Sequence, residues 1–172
     1  MKAGKVLVLL AAAALAGCQT MADAPTRATA GLHPTAGNKA RGEVTFEQLG
    51  DKVRVVAQVI GLKPNQEHGF HIHEVGDCSA GDGMSAKGHF NPYGKPHGPQ
   101  GSEHHAGDMP SLKADAKGRA HLQVDLEVVT VTPGPASIIG RAVIVHANAD
   151  DYATQPTGNA GARIACGVIK AG

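Results

Sequence analysis

The chain has 172 residues, 42% of them hydrophobic and 18% charged, with 16 Lys and Arg against 15 Asp and Glu. That length suits one domain with a real core, and the near balance of charge leaves no basic face for a nucleic-acid partner. The unusual count is of histidine, at 10, beside only 3 cysteines.

The first residues, "MKAGKVLVLLAAAALAGC", pair a short basic start with an apolar run and small residues before Cys18. This is the pattern of a secretory signal, and it is shorter than the roughly 20 apolar residues that span a bilayer. Its end, "LAGC", resembles the lipobox of bacterial lipoproteins. The resemblance implies a signal peptide over 1–17, cleavage before Cys18 and lipid on its sulfur, and Gln19 in the following position implies outer-membrane sorting. The expected localisation is therefore periplasmic, with the membrane as a partner through Cys18. Loss of Lys2 and Lys5 leaves 14 of the 16 bases against 15 acids, a net charge of −1. With Cys18 lipidated, Cys78 and Cys166 remain, and an oxidising compartment favours a disulfide between them. Residues 18–27, "CQTMADAPTR", are small and polar without periodicity and read as a tether, so that the domain begins at Ala28.

From Arg27 the hydrophobic pattern has period two. The stretches "RATAGLH" (27–33), "GEVTFEQ" (42–48), "KVRVVAQVIG" (52–61), "HLQVDLEVVTV" (121–131), "RAVIVHA" (141–147) and "RIACGVIK" (163–170) all read as strands. No stretch carries a helical stripe, which predicts an antiparallel all-β sandwich or barrel. Two long segments, about 74–117 and 148–162, interrupt the strands and are rich in Gly, Pro, Asp, Asn and His. Loops of that length in a compact domain are functional or disordered, and their histidines argue for function.

In "GFHIHE", His71 and His73 lie two apart, which on a strand places both on one face. The segment "GHFNPYGKPHGPQGSEHHAGD" adds His89, His97, His105 and Asp108 at separations of 8, 8 and 3, a set of imidazoles and a carboxylate that Zn²⁺ accepts. His146 follows at the end of "RAVIVHA".

With the motifs "HGFHIHE", "GHFNP", "KPHG", "HHAGD", "GRAVIVHANADD" and "GNAGARIACGVI" in this order, the chain resembles the bacterial copper/zinc superoxide dismutases. Those enzymes are themselves standard examples of the sandwich architecture and of electrostatic steering. The resemblance implies an eight-stranded antiparallel Greek-key barrel or sandwich, immunoglobulin-like, over 28–172, with two functional loops. It implies copper held by His71, His73, His89 and His146, and zinc held by the bridging His89 with His97, His105 and Asp108. It further implies Asp150 as the carboxylate joining a copper-ligand histidine to a zinc-ligand histidine, Arg163 as the active-site arginine, and Cys78–Cys166 as the family disulfide.

The activity so implied is dismutation of superoxide by copper cycling between Cu²⁺ and Cu⁺. His89 leaves the reduced ion and takes a proton, while zinc keeps His89 in place. Protection of the bacterial envelope is the implied role. Arg163 would guide the anion; it has the competing role of bracing the second loop. That loop, "DDYATQPTGNAGAR", has no Lys or Glu, so further guiding charge falls to Lys87 or Lys95, each of which also reads as a solvated surface lysine. His68 reads as a packed structural residue, and His33 and His121 as strand histidines. His104 competes with His105, with the spacing to "GD" favouring His105. The competing functions are a non-catalytic envelope copper/zinc-binding protein on the same scaffold and a structural sandwich module. A monomer and a homodimer are both compatible with the sequence.

Overall fold

The computed structural model describes residues 26–172 together with Met1. The expected signal peptide, Cys18 and most of the tether lie outside the described residues. The expected all-β class is what the structure shows, and every named ladder is antiparallel.

Three strands open the domain: β1 (Arg27–Pro34), β2 (Arg41–Leu49) and β3 (Lys52–Ile60). Their alternation is visible in burial. Ala28, Ala30 and Leu32, then Val44 and Phe46, then Val53, Val55, Ala57 and Val59 are buried, while their neighbours are exposed or only partly covered. Such alternation belongs to an antiparallel sheet with one wet face. Strands β2 and β3 pair from Arg41↔Ile60 to Leu49↔Lys52 across a two-residue turn, with Gly50 at φ 63°.

The chain then crosses to the far side of the sheet. The short β4 (Glu67–His68) leads to β5 (Phe70–His73), and after the first long loop β6 (Leu112–Lys113) pairs with β4. Strand β7 (Arg119–Leu126) returns beside β3, and β8 (Ala142–His146) crosses again to pair with β5. Strands β9 (Arg163–Val168) and β10 (Lys170–Ala171) both pair with β1. The main sheet has eight strands in the order β5-β8-β9-β1-β2-β3-β7, with β10 against β1. It curls around one apolar cluster, to which strands from both halves contribute, including Phe46, Phe70, Ile72, Leu126, Val143 and Val145.

The predicted strand 121–131 ends early, at Leu126. Val129 and Val131 remain buried, but the Val131 N–H donates to Gln48 Oε1 at 3.0 Å, so a side chain takes the place of a ladder there. The predicted strand 163–170 is likewise divided at Ile169, whose N–H donates to the carbonyl of Arg141.

Strands β5 and β8 break the alternation, since every residue in both is buried. Phe70, Ile72, Val143 and Val145 point into the core. The opposite face carries His71, His73, Ala142, Ile144 and His146, and the long loops cover it. A small second cluster of Ala86, Ala142, Ile144 and Cys166, with Cys78 against it, lies on this outer side. The Cys78–Cys166 disulfide, with Cα atoms 5.8 Å apart, joins the first loop to β9 there. It closes 88 residues, which corresponds to about 4.6 kcal/mol in the chain-entropy description.

Candidate metal centre

Strand β5 is the end of the sheet, and an open edge exposes unpaired backbone groups. The first long loop fills that edge. Phe90 N–H donates to Ile72 O at 2.8 Å, Ile72 N–H to Gly107 O at 2.9 Å, and Glu74 N–H to Gly88 O at 2.9 Å. The pairings His73↔His89 and His71↔Asp108 result, so backbone docking brings loop residues alongside the two strand histidines. Gly107 lies so close to β5 that a Cβ there would overlap the carbonyl of Ile72. On the other side of β5, a register shift in the β8–β9 ladder falls between Val145 and His146 and pairs His146 with Arg163.

Two groups of donors result. One consists of His71, His73, His89 and His146, the other of His89, His97, His105 and Asp108, and within each the donor atoms lie within 4.8 Å of one another. All seven residues are buried, and His89 belongs to both groups. Of the two adjacent histidines, His105 lies in the second group. His104 is only partly buried and points its Nδ1 at the carbonyl of His105, 2.6 Å away.

The hydrogen bonds decide which ring nitrogen is free. His73 Nδ1 donates to Lys87 O at 2.8 Å and His146 Nδ1 to Gly161 O at 3.1 Å, leaving their Nε2 atoms 3.4 Å apart. His71 Nε2 is 2.6 Å from Asp150 Oδ2, and His97 Nε2 is 2.9 Å from Asp150 Oδ1. Asp150 thus ties one group to the other, and outer carboxylates of this kind fix ring orientation and tautomer. Among the described residues, the buried side-chain atoms without a hydrogen-bond partner are His71 Nδ1, His89 Nε2 and His97 Nδ1, together with His68 Nε2 outside the two groups. Unpartnered buried polar atoms are costly, and three of these four belong to histidines of the donor groups, where an ion would take them as ligands.

Asp108 converges on the second group from Oδ1, 2.8 Å from His89 Nδ1 and 3.3 Å from His105 Nδ1, and from Oδ2, 3.0 Å from His97 Nδ1. Its Oδ2 also accepts the N–H of His105 and of Gly98. Burial and the adjacent imidazoles act on the two groups differently. Burial chiefly, with the neighbouring His71 and His97, lowers His89 to about 4. Burial, His71, His89 and Arg163 together lower His146 to about 3. Burial pushes His97 down as well, but its contacts with Asp108 and Asp150 outweigh this and raise it to about 9. For Asp108 and Asp150 burial is likewise outweighed, by the surrounding histidines, and both stay well below the usual carboxylate range. His89 and His146 are thus held toward the neutral imidazole and Asp108 toward the ionised carboxylate, the forms that bind metal, whereas at His97 an ion would displace a proton.

Arg163 lines an open cleft with His73 and His146, together with Asp82 and Met84. Its guanidinium donates to Gly83 O at 2.7 Å and to Lys87 O at 2.5 Å. The carbonyl of Lys87 thus serves both Arg163 and His73. Of the remaining histidines, His68 is buried with Nδ1 donating to His146 O at 2.8 Å, while His33 and His121 are exposed on β1 and β7.

Several parts of the site have no signal in the sequence. Ser111 and Tyr152 brace Asp150: Ser111 N–H donates to the Tyr152 hydroxyl at 2.7 Å, and Tyr152 N–H to Asp150 Oδ1 at 2.7 Å. Gly158, at φ 63°, lies where a Cβ would overlap Asp150 Oδ1 and crowd His97 Nε2. A glycine in a Gly-rich loop gives no hint of that closeness.

Two buried donor groups sharing one imidazole, mounted on the outside of an antiparallel β-barrel, define a dinuclear metalloprotein. The chain belongs to the copper/zinc superoxide dismutase family, whose model, described as copper/zinc superoxide dismutase (SODC), matches residues 40–169. It is 45% identical over 136 residues to superoxide dismutase [Cu-Zn] 2 of Aquifex aeolicus, covering 75% of this chain and 78% of that one. It is 43% identical over 152 residues to superoxide dismutase [Cu-Zn] of Candida glabrata, covering 83% and 96%. Among solved structures, the clock protein EA4 matches with a TM-score of 0.80 at 39% identity, over 89% of this chain and 99% of that one. A superoxide dismutase-like protein from Bacillus subtilis matches with a TM-score of 0.73 at 36% identity, over 81% and 95%. The two histidine groups fit copper and zinc, the cofactors of this family.

Proposed function

We propose that the chain dismutes superoxide with His71, His73, His89 and His146 as the donors to copper and His89, His97, His105 and Asp108 as the donors to zinc. The membership of His89 in both groups carries this reading, since two ions sharing an imidazole need that one residue between them. Copper supplies a one-electron couple, whereas zinc has no redox chemistry and supplies fixed charge. Two superoxide ions and two protons give one O₂ and one H₂O₂.

The chain's own residues have separable tasks. His73 and His146 hold their Nε2 atoms toward the cleft because backbone carbonyls hold their Nδ1 atoms. Asp150 fixes the rings of His71 and His97 together. His89 Nε2, buried and without a partner, is the atom at which a proton is held between the two encounters with substrate. Arg163, seated on two carbonyls at the cleft, attracts and orients the anion, and a positive funnel of this kind raises association rates by about 10 to 10³.

The test is superoxide decay with the copper- and zinc-loaded chain before and after chelation, alongside the EPR signal of Cu²⁺. Decay that accelerates with loaded protein and stops on chelation supports the reading. Copper bound without any acceleration would leave a metal-binding protein on the same scaffold.

The reading extends to the chain's place in the cell: lipidated at Cys18, held on the periplasmic side of the outer membrane, and protecting the envelope from superoxide. The lipobox-like "LAGC" and the need of a disulfide for an oxidising compartment support it. A Cys18→Ala chain should move from the membrane fraction to the soluble one, and unchanged partitioning would overturn the anchor. Light scattering on the purified chain distinguishes a homodimer from a monomer.

A further inference from the structure

The second long loop grips His97 at a point that ligand chemistry does not require. The side-chain amide of Gln155 takes both backbone groups of His97: the His97 N–H donates to Gln155 Oε1 at 2.8 Å, and Gln155 Nε2 donates to His97 O at 2.8 Å. Residue 97 lies in an irregular stretch between the segments that dock on β5, and no backbone bond from the described residues reaches it. The amide therefore does for His97 what a neighbouring strand would do in a sheet, and it comes from a residue 58 positions away.

We infer that Gln155 is a positioning residue for His97, a clasp through which the second loop holds the zinc donor group in register. Three contacts converge on this one histidine from the same loop. Asp150 fixes ring Nε2 at 2.9 Å, and Gln155 fixes the main chain on both sides of the Cα. With ring and backbone both held, Nδ1 is aimed at the group that contains Asp108, 3.0 Å away. Release of the backbone leaves Asp150 as the sole restraint from that loop, and the ring can then swing about the Asp150 contact without breaking it. None of the other group's own donors, His71, His73 and His146, is bonded by Gln155. The effect is accordingly confined to zinc.

The inference rests on His97 being a zinc donor, as proposed above, and its test reads zinc rather than dismutation. The copper- and zinc-loaded full chain is titrated with a zinc-selective chelator, and released zinc is measured for wild type, Gln155→Met and Gln155→Glu. The methionine keeps length and removes both bonds, whereas the glutamate keeps the acceptor for His97 N–H and removes the donor to His97 O. Partners behind a metal ligand typically contribute 10- to 100-fold in affinity. Gln155→Met should weaken zinc retention by about tenfold, Gln155→Glu by less, and the Cu²⁺ EPR spectrum of both should match wild type. Zinc retention within twofold of wild type in Gln155→Met would overturn the inference. So would copper and zinc loosened in equal measure, which would mark a general loss of structure. Failure of the zinc assignment itself is distinguishable, because the wild-type chain would then hold no stoichiometric zinc.

Discussion

The two donor groups are built from different material. His71, His73 and His146 stand on β5 and β8, whose backbones are paired in the sheet and whose inner faces form the core. His97, His105 and Asp108 all come from one irregular loop, held by docking on β5, by the three convergent contacts of Asp108 and by the clasp from the second loop. The first group is made of imidazoles alone, and burial keeps them neutral. The second contains a carboxylate and a histidine raised to about 9. A donor set mounted on a sheet stays in place by the same contacts that fold the protein, whereas a donor set mounted on a loop needs charge, and an ion, to hold its shape.

The sharpest way to separate the two is to remove one donor from each. His73→Ala should reduce superoxide decay to the uncatalysed rate while zinc remains bound at full stoichiometry; residual catalysis would contradict the division of labour. Asp108→Ala leaves three buried imidazoles without their carboxylate, a loss of about 3–5 kcal/mol in thermal or denaturant unfolding for a buried pair broken on one side. It should release zinc but still give a Cu²⁺ EPR signal, and its activity should change in pH dependence. A melting curve and pH profile equal to wild type would remove zinc's scaffolding role. Arg163→Glu leaves both groups intact and changes only the cleft: kcat/KM should fall by about tenfold or more, and the salt dependence should reverse sign. An unchanged rate would reduce Arg163 to a brace.

The smallest effect is on the metal-stripped chain, and there the groups oppose each other. His97, raised to about 9, contributes stability that is complete below the ordinary histidine value near 6.5 and is lost as pH rises toward 9. His89 and His146, lowered to about 4 and about 3, contribute stability that is present above 6.5 and lost as pH falls through those values. Melting temperature against pH should therefore fall on both sides. His97→Gln should flatten the alkaline limb alone, and flattening of both limbs would break the contrast.

The same contrast governs what could be read before folding. Strands β1, β2 and β3 are legible because one face of each is wet, so Val44, Phe46, Val53, Val55, Ala57 and Val59 alternate with polar residues. The His71–His73 spacing is legible for the same reason of period. The closed outer face of β5 and β8 is not, because what covers it is loop, and a loop's path leaves no periodic trace. Nor can two-residue strands such as β4 and β6 be read, being shorter than any pattern. Gln155 and Ser111 act across 39 or more positions, Tyr152 joins such a contact with Ser111 to a local one with Asp150, and Gly158 acts by close approach; their residue types are ordinary for loops. The assignment of ions to particular histidines came from family resemblance, not from any rule of spacing.

The disulfide bears on the cleft as well as on strength. Cys78 begins the stretch whose carbonyls at Gly83 and Lys87 seat Arg163, and Cys166 stands on β9 with Arg163 itself. The covalent link and the guanidinium bonds therefore fasten the same two pieces of chain. Without the disulfide, the guanidinium bonds, the pairing of Arg163 with His146 and the Thr35 hydroxyl on the Arg163 carbonyl would still hold the arginine; the disulfide adds a covalent tie to them. One covalent bond therefore does two jobs: it ties the first loop to the barrel and anchors the strand from which Arg163 reaches the cleft.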